Sequence, residues 1–352
     1  MRMLISLAAA GLLVAACGGD DDSAGGGSPT DVVASDAAVT EDAGSQADSP
    51  PAEEDTAQAP DTTADGNTGA PIELSGPCSL EKRYGAFLVE AQDGFSFVDG
   101  SVANGVVPVT ILELVEEEGP CRLLKRNNPF CNPPCGPGQT CDHDGSCITF
   151  PEPQDLGTVE ITGLADEALL EPLQPGNSYF LTTLPHPGFE GGAAIHLTSS
   201  EGAFGVLDLH GVGVDLLETE KPLWEVEEAK DLAISWPAPV TPGVPSVARL
   251  DLNIDQHGNS PVVLQCDFPD TGSAAVPAAL IDQLLTSGVS GYPNGRVTRR
   301  TVDSAPVSDG CMEFIVASPL EADIEVVGHT PCKSDSDCPD GETCTLAIET
   351  CG

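Results

Sequence analysis

Basic residues are scarce in this chain. It has 352 residues, with 13 Lys and Arg against 56 Asp and Glu, a formal net charge of −43. Nucleic acids and anionic lipid surfaces are recognised through clusters of Lys and Arg, so the deficit excludes both as electrostatic partners. Aromatic residues make up only 4% of the chain, but Val, Leu and Ile are plentiful, so a packed core is within reach. No apolar run reaches the ~20 residues that cross a bilayer as a helix. The longest, Leu4 to Val14, covers roughly half of that. Also absent are a G-x-S-x-G elbow, a P-loop, an H-E-x-x-H pair and a Rossmann fingerprint. These gaps remove the usual signatures of serine hydrolases, nucleotide enzymes, zinc peptidases and dinucleotide enzymes, and no cofactor is expected.

What is present begins at the N-terminus. Residues 1–16 carry Arg2, the short apolar run and then small residues, the parts of an export signal peptide. The run Val14-Ala15-Ala16-Cys17 resembles the lipobox of bacterial lipoproteins. The resemblance implies cleavage before Cys17, a diacylglycerol on its thiol and acylation of the new amine. Small residues at 15 and 16 let a peptidase grip an extended backbone. Two or more acyl chains hold a protein stably at a membrane where one does not. Gly18 and Gly19 follow, which by the same resemblance implies sorting to the outer membrane or cell surface of a Gram-negative bacterium. Loss of Arg2 leaves 12 basic residues against 56 acidic ones, so the mature charge is −44.

Residues 17–75 read as the lipidated cysteine and an acidic tether. Positions 18–75 hold fourteen Asp and Glu, with no Lys, Arg or aromatic residue. Such a stretch buries too little apolar surface to offset its ordering entropy, so disorder is expected. As a coil it would average on the order of 40 Å end to end, and like charges would stretch it.

The chain has 13 cysteines. Setting Cys17 aside leaves an even number in an exported chain, the pattern of a disulfide framework. Residues 76–130 read as a small β unit. Its strands are Tyr84 to Val89 and Val109 to Val115, and its turns Asp93-Gly94 and Glu118-Gly119-Pro120. Cys78 and Cys121 bracket it and are expected to pair. Arg122, Lys125 and Arg126 read as solvated charges at strand ends that balance acidic neighbours. Residues 131–150 carry Cys131, Cys135, Cys141 and Cys147 on almost no aliphatic core, so cross-links must hold them together. Residues 331–352, with Cys332, Cys338, Cys344 and Cys351, repeat that module. Cys135-x-x-Gly138-x-Thr140-Cys141 aligns with Cys338-x-x-Gly341-x-Thr343-Cys344. Gly138 and Gly341 are expected at positive φ in tight turns. Within each module, four cysteines allow three pairings.

Residues 155–330 read as the main domain, a β-sandwich of immunoglobulin-like or jelly-roll-like type. Alternating runs at 157–164, 178–184, 232–236, 248–254, 262–268, 312–317 and 322–327 mark half-buried antiparallel strands. One short helix interrupts them, with Pro277 at its first turn, Leu280, Ile281, Leu284 and Leu285 on one face, and Gly288 after its end. A Gly-Tyr-Pro-Asn-Gly turn at 291–295 leads into a strand with Arg296, Arg299 and Arg300. Cys266 is expected to pair with Cys311. A tryptophan beside paired cysteines is similar to the immunoglobulin sandwich, although here the order is Trp236, Cys266, Cys311 and not Cys-Trp-Cys.

Several constellations invite chemistry. Asp270-Thr271-Gly272-Ser273 resembles the fingerprint of aspartic peptidases, which implies an exported hydrolase with Asp270 sharing a proton with a second Asp. The chain holds no second copy, so a homodimer would be required, and the same four residues are ordinary turn formers. His196, Asp208 and His210 fall on polar faces of strands and would meet only if those strands paired. They are read as surface side chains, and no metal site is expected. Asp251-x-Asn253-x-Asp255 begins like a calcium loop but has Gln256 where glycine is needed. The Ser334–Asp340 loop is acidic without EF-hand spacing, and neither cysteine module has the C-x₂-C knuckle of zinc sites.

The modules Cys-x₅-Cys-Pro-Asp-Gly-Glu-Thr-Cys and Cys-Gly-Pro-Gly-Gln-Thr-Cys resemble cysteine-rich repeats of Gram-negative surface lipoproteins. They are also loosely similar to EGF-like and whey-acidic-protein modules. The latter similarity implies a protease inhibitor at 332–351, but that pattern has eight cysteines with an adjacent pair. The sequence thus leads to a non-enzymatic surface lipoprotein with a binding, adhesion or envelope-structural role. Its expected partners are the membrane, through the lipid, and an extracellular protein or carbohydrate.

Overall fold

The computed structural model describes residues 72–255 and 262–352. The signal region, Cys17, the acidic segment through residue 71 and Gln256 lie outside the described residues. The first part of the described chain forms β1 (Arg83–Gln92), β2 (Phe95–Val102), β3 (Leu112–Glu118), β4 (Cys121–Arg126) and the small pair β5 (Gln139–Cys141) and β6 (Cys147–Thr149). Next come β7 (Val159–Thr162), β8 (Ala168–Leu170), β9 (Tyr179–Leu181), β10 (Ala194–Ser199), β11 (Asp208–Val212), β12 (Leu223–Val226) and β13 (Leu232–Ser235). They are followed by β14 (Val247–Asn253), β15 (Val262–Pro269), β16 (Ser273–Val276), helix α1 (Ala278–Thr286), β17 (Asn294–Val307) and β18 (Gly310–Val326). A second small pair, β19 (Cys344–Thr345) and β20 (Thr350–Cys351), ends the chain. The fold is mainly β and sandwich-like, with one short helix among the described residues.

The organising element is the long β17–β18 hairpin. One edge of β18 pairs with β17 over its length. Its other edge takes β1 in parallel along Cys311–Ala317 and then β12 in parallel along Asp323–Val326. The hairpin therefore serves two half-sandwiches. In the first, β9-β2-β1 extends the hairpin and packs on the sheet β11-β10-β7-β8. Phe87, Val89, Tyr179, Ile195, Leu209, Met312, Phe314 and Val316 share that core. In the second, β14-β15-β4-β3 extends the hairpin from β17 and packs on the β13–β16 pair and α1. Trp224, Trp236, Leu250, Leu264, Leu280, Ile281, Val297 and Leu320 share that core.

The strongest period-2 strands arise where one face alone is buried. In β14, Ala248, Leu250 and Leu252 are fully buried while Arg249, Asp251 and Asn253 are not. In β15 the inward set is Val262, Leu264, Cys266 and Phe268. Helix α1 starts after Pro277, buries Leu280, Ile281 and Leu284, and ends before Gly288 at φ +106°. Each of these matches the sequence pattern.

Three expectations are corrected. The separate β unit over 76–130 does not form: β1 and β2 join the large sheet on one side of the hairpin, β3 and β4 on the other. Cys121 and Leu123 are 0% exposed and share a core with Leu250 and Leu264. The cysteine pairing of Cys78 with Cys121 and Cys266 with Cys311 is also replaced. Cys78 bonds Cys311, and Cys121 bonds Cys266. Sheet register explains the second bond, because Cys121 and Cys266 lie directly opposite each other on neighbouring strands, with Cα atoms 4.0 Å apart. Finally, the runs at 312–317 and 322–327 belong to one strand, β18. Its Pro319, which cannot donate to a ladder, falls between the stretches paired to β1 and β12.

The inward face of the hairpin is apolar at both ends and polar in the middle. Arg299, Thr301, Asp303 and Ser318 point to the same side as Val297, Phe314 and Leu320, and all four are buried. They bind the backbone of the segment that crosses from one half to the other. Asp303 accepts from His210 N at 2.8 Å, and Thr301 Oγ1 donates to Val212 O at 2.7 Å. Arg299 Nη1 donates to Asp215 O at 3.0 Å, and Ser318 Oγ accepts from Leu217 N at 2.9 Å. Buried backbone groups that no strand satisfies must find such partners. The crossing runs close to the hairpin: a Cβ on Gly211 would lie 2.7 Å from the Val316 side chain.

Candidate functional site

The outer face of the large sheet gathers the positive charge. Twelve basic residues follow position 16, and five of them, Arg83, Arg122, Arg249, Arg296 and Arg300, sit on or beside this face. Register produces the gathering, because Arg122, Gln265, Asp251, Arg296 and Glu321 stand opposite one another across β4, β15, β14, β17 and β18. A groove of about 500 Å³ opens here. Its floor holds Arg122, Arg249, Gln265 and Asp267, one wall is the segment around Cys78–Glu81, and the other is the β3–β4 hairpin. The disulfide Cys78–Cys311 ties the first wall to β18, and Cys121–Cys266 ties β4 to β15. Both long-range bridges thus hold the groove's sides.

Asp267 is the hub. Arg249 grips it with two bonds, 2.8 and 2.5 Å, Arg300 adds one at 3.1 Å, and Arg122 lies 3.8 Å away. Burial alone would push the Asp267 carboxyl up, but the bond from Arg249 and the charges of Arg249, Arg300 and Arg122 outweigh it and hold it below its ordinary value. Three guanidinium groups surround this carboxylate, and Glu81, Glu117 and Glu313 line the same groove, so the groove carries charge of both signs. Arg300 records the same crowding: burial first, then the like charge of Arg249, bring its pKa down to about 10. Arg83, paired to Glu313 at 3.5 Å, and Arg122 keep 38% and 35% of their side chains exposed, so both remain open to a ligand. The basic run Arg122, Lys125, Arg126 had been expected to be solvated strand-end charge. Arg126 is exposed at the end of β4, Lys125 faces Glu113 and Arg122 faces Glu117 on β3, in keeping with that reading, and Arg122 also lines the groove.

Asp270 has a structural occupation. Its carboxylate accepts from Arg299 Nε at 2.6 Å, Trp236 Nε1 at 2.8 Å and Ser246 Oγ at 2.7 Å. Side-chain exposure is 1% for Arg299 and 2% for Asp270. Burial raises the Asp270 pKa, yet the bonds from Arg299, Ser246 and Trp236 and the Arg299 charge together bring it below the ordinary carboxylate value. An aspartic peptidase needs a carboxyl that shares a proton with a second one; this one is ionised and saturated by donors. Thr271 and Gly272 form the turn between β15 and β16, with Gly272 at φ +94°.

The acidic candidates for calcium are likewise engaged. Asp251 accepts from Gln265 at 2.9 Å, and Asp255 from Ser290 in a separate buried contact. In the Ser334–Asp340 loop, Asp337 accepts from the Lys333 and Ser334 backbone, and Asp335 from Cys344 N. In the cysteine modules the sulfurs pair first to third and second to fourth: Cys131–Cys141 and Cys135–Cys147, then Cys332–Cys344 and Cys338–Cys351. Gly138 and Gly341 take φ of +73° and +95°, as the repeat implied. All twelve cysteines beyond Cys17 are in bridges. The histidine trio is brought together after all, since β10 and β11 pair with His196 opposite His210 and Asp208 two residues away on the same face. Sequence reasoning missed Arg83, Arg249 and Asp267, because their convergence depends on which strands are neighbours.

No family model matches the chain, and no curated protein matches it. Among solved structures, the FN1–FN3 domains of chicken CNTN1 are similar at 9% identity over 64% of this chain and 70% of that one, with a TM-score of 0.17. A tetra-tandem repeat in the extending region of a large adhesion protein is similar at 13% identity over 70% of this chain and 76% of that one, with a TM-score of 0.14. Likeness at these scores carries no argument, and the functional reading rests on the chain itself.

Proposed function

We propose that this chain is an exported, non-enzymatic binding protein, held by a lipid on Cys17 at the outer membrane or cell surface of a Gram-negative bacterium. The arginine-lined groove over Asp267 is its contact site. The groove is the observation that carries binding: two long-range disulfides brace its walls, and the Arg83 and Arg122 side chains are partly exposed in it. The ligand it suits is a segment of an extracellular protein or a carbohydrate that meets both the arginines and the carboxylates of Glu81, Glu117 and Glu313. A polyanion is disfavoured by the −44 charge of the mature chain. Six bridges support the oxidising compartment, and the lipobox resemblance supports the anchor.

Two measurements test the reading. Fractionation of the native host should place the protein with membranes, and Cys17→Ser should release it; an unchanged distribution refutes the anchor. Arrays of extracellular proteins and glycans, probed with the purified protein, should give binding that Arg122→Ala together with Arg83→Ala abolishes. Equal binding by the double variant removes the groove from the account. Acid-pH casein cleavage by the parent would refute the non-enzymatic reading.

A further inference from the structure

We propose that His196, Asp208 and His210 form a divalent transition-metal site on the outer face of the β11-β10-β7-β8 sheet, remote in sequence from the arginine groove and independent of it. The antiparallel register puts His196 directly across from His210. Asp208 precedes His210 by two residues and so lies on the same face of β11. The two imidazole rings stack with centroids 4.7 Å apart. Asp208 Oδ1 is 2.7 Å from His196 Nε2 and 3.9 Å from His210 Nδ1. One donor atom from each residue fits within 4.8 Å of the others.

A tetrahedral metal with bonds of about 2.0–2.1 Å holds its ligand atoms roughly 3.3 Å apart. The two separations around Asp208 bracket that value, so small side-chain rotations bring three donors onto one ion. Nothing rigid opposes those rotations, because the side chains of His196, Asp208 and His210 are 41%, 66% and 47% exposed. The backbone beneath them is fixed, since Asp303 accepts from His210 N at 2.8 Å. His196 must carry its ring proton on Nδ1 so that Nε2 offers a lone pair to the metal. Two imidazoles and one carboxylate favour Zn²⁺, Cu²⁺ or Ni²⁺ over Ca²⁺ or Mg²⁺, which prefer oxygen donors. The strong negative charge of the mature chain raises the local cation concentration. Three protein ligands leave at least one coordination position open to water or to a donor from another molecule.

The test is calorimetric titration of the chelator-stripped, full-length protein in detergent with Zn²⁺, in parallel with His196→Ala, Asp208→Asn and His210→Ala. One saturable equivalent is expected, unaffected by excess Ca²⁺. Each substitution should weaken it at least about tenfold, since even outer partners of metal ligands cost 10–100-fold when lost. His143→Ala, in the first cysteine module, should bind like the parent. Unchanged melting temperatures will confirm that the variants are folded, as exposed positions predict. Absence of a saturable event, or equal binding by the three variants, overturns the proposal.

Discussion

The two half-sandwiches share one hairpin but solve the burial problem differently. The half built on β1, β2 and β7–β11 closes with aliphatic and aromatic contacts such as Phe87, Tyr179 and Phe314. The half built on β4 and β12–β16 adds a helix, two tryptophans and, at its border with the other half, the buried Arg299–Asp270 pair. Apolar packing stabilises through buried area and close contacts but has no directional bonds. A buried ion pair stabilises little in net terms, but it penalises any arrangement that separates its members. The polar middle of the hairpin therefore fixes where the crossing segment lies, while the two cores supply the driving force.

This contrast is open to direct attack. The largest effect should come from Arg299→Met, which leaves Asp270 buried beside Trp236 and Ser246 without its counter-charge. A loss of about 3–5 kcal/mol is expected in denaturant unfolding. Phe314→Ala in the apolar half should cost a similar or slightly smaller amount, about 3–4 kcal/mol from lost contacts and the cavity. Because both halves use β17 and β18, each variant should still unfold in one transition. Two separated transitions would show that the hairpin does not couple them.

Replacing Cys121 and Cys266 together with alanine should cost about 2–4 kcal/mol, measured the same way. Acid should act chiefly through the crossing and the sheet beside it. Asp267 and Asp270 have folded-state pKa values below those of the open chain. Their contribution is therefore complete above about pH 4, the open-chain carboxylate value, and is lost as the pH falls further. The melting temperature should drop more between pH 5 and 3 in the parent than in an Asp270→Asn variant. The smallest effect belongs to Arg122→Ala, whose partly exposed pair 3.8 Å from Asp267 should contribute no more than about 1 kcal/mol. That leaves this substitution free to report on ligand binding.

Sequence pattern revealed β14, β15 and α1 because each has one buried face and one wet face. It revealed the two cysteine modules because their staples close short loops at repeated spacing. It did not reveal the full extent of β17 and β18. Arg299, Thr301, Asp303 and Ser318 occupy inward positions, and Pro319 interrupts the run, so no alternation announces a long buried strand. The long-range disulfides were mispaired for a related reason. Proximity in sequence suggested Cys78 with Cys121 and Cys266 with Cys311, whereas strand neighbours far apart in the chain decide the outcome. His196, Asp208 and His210 were visible as outward residues, but their meeting depends on the pairing of β10 with β11, which no local signal specifies.

The account depends most on the sulfur chemistry of an exported chain. A non-reducing peptide map of protein isolated from native membranes tests it. The expected result is a lipid-bearing peptide beginning at Cys17, Cys78 linked to Cys311, Cys121 linked to Cys266, and no free thiol among the remaining eight cysteines. Several free thiols, or an unmodified Cys17 still joined to residues 1–16, would contradict it.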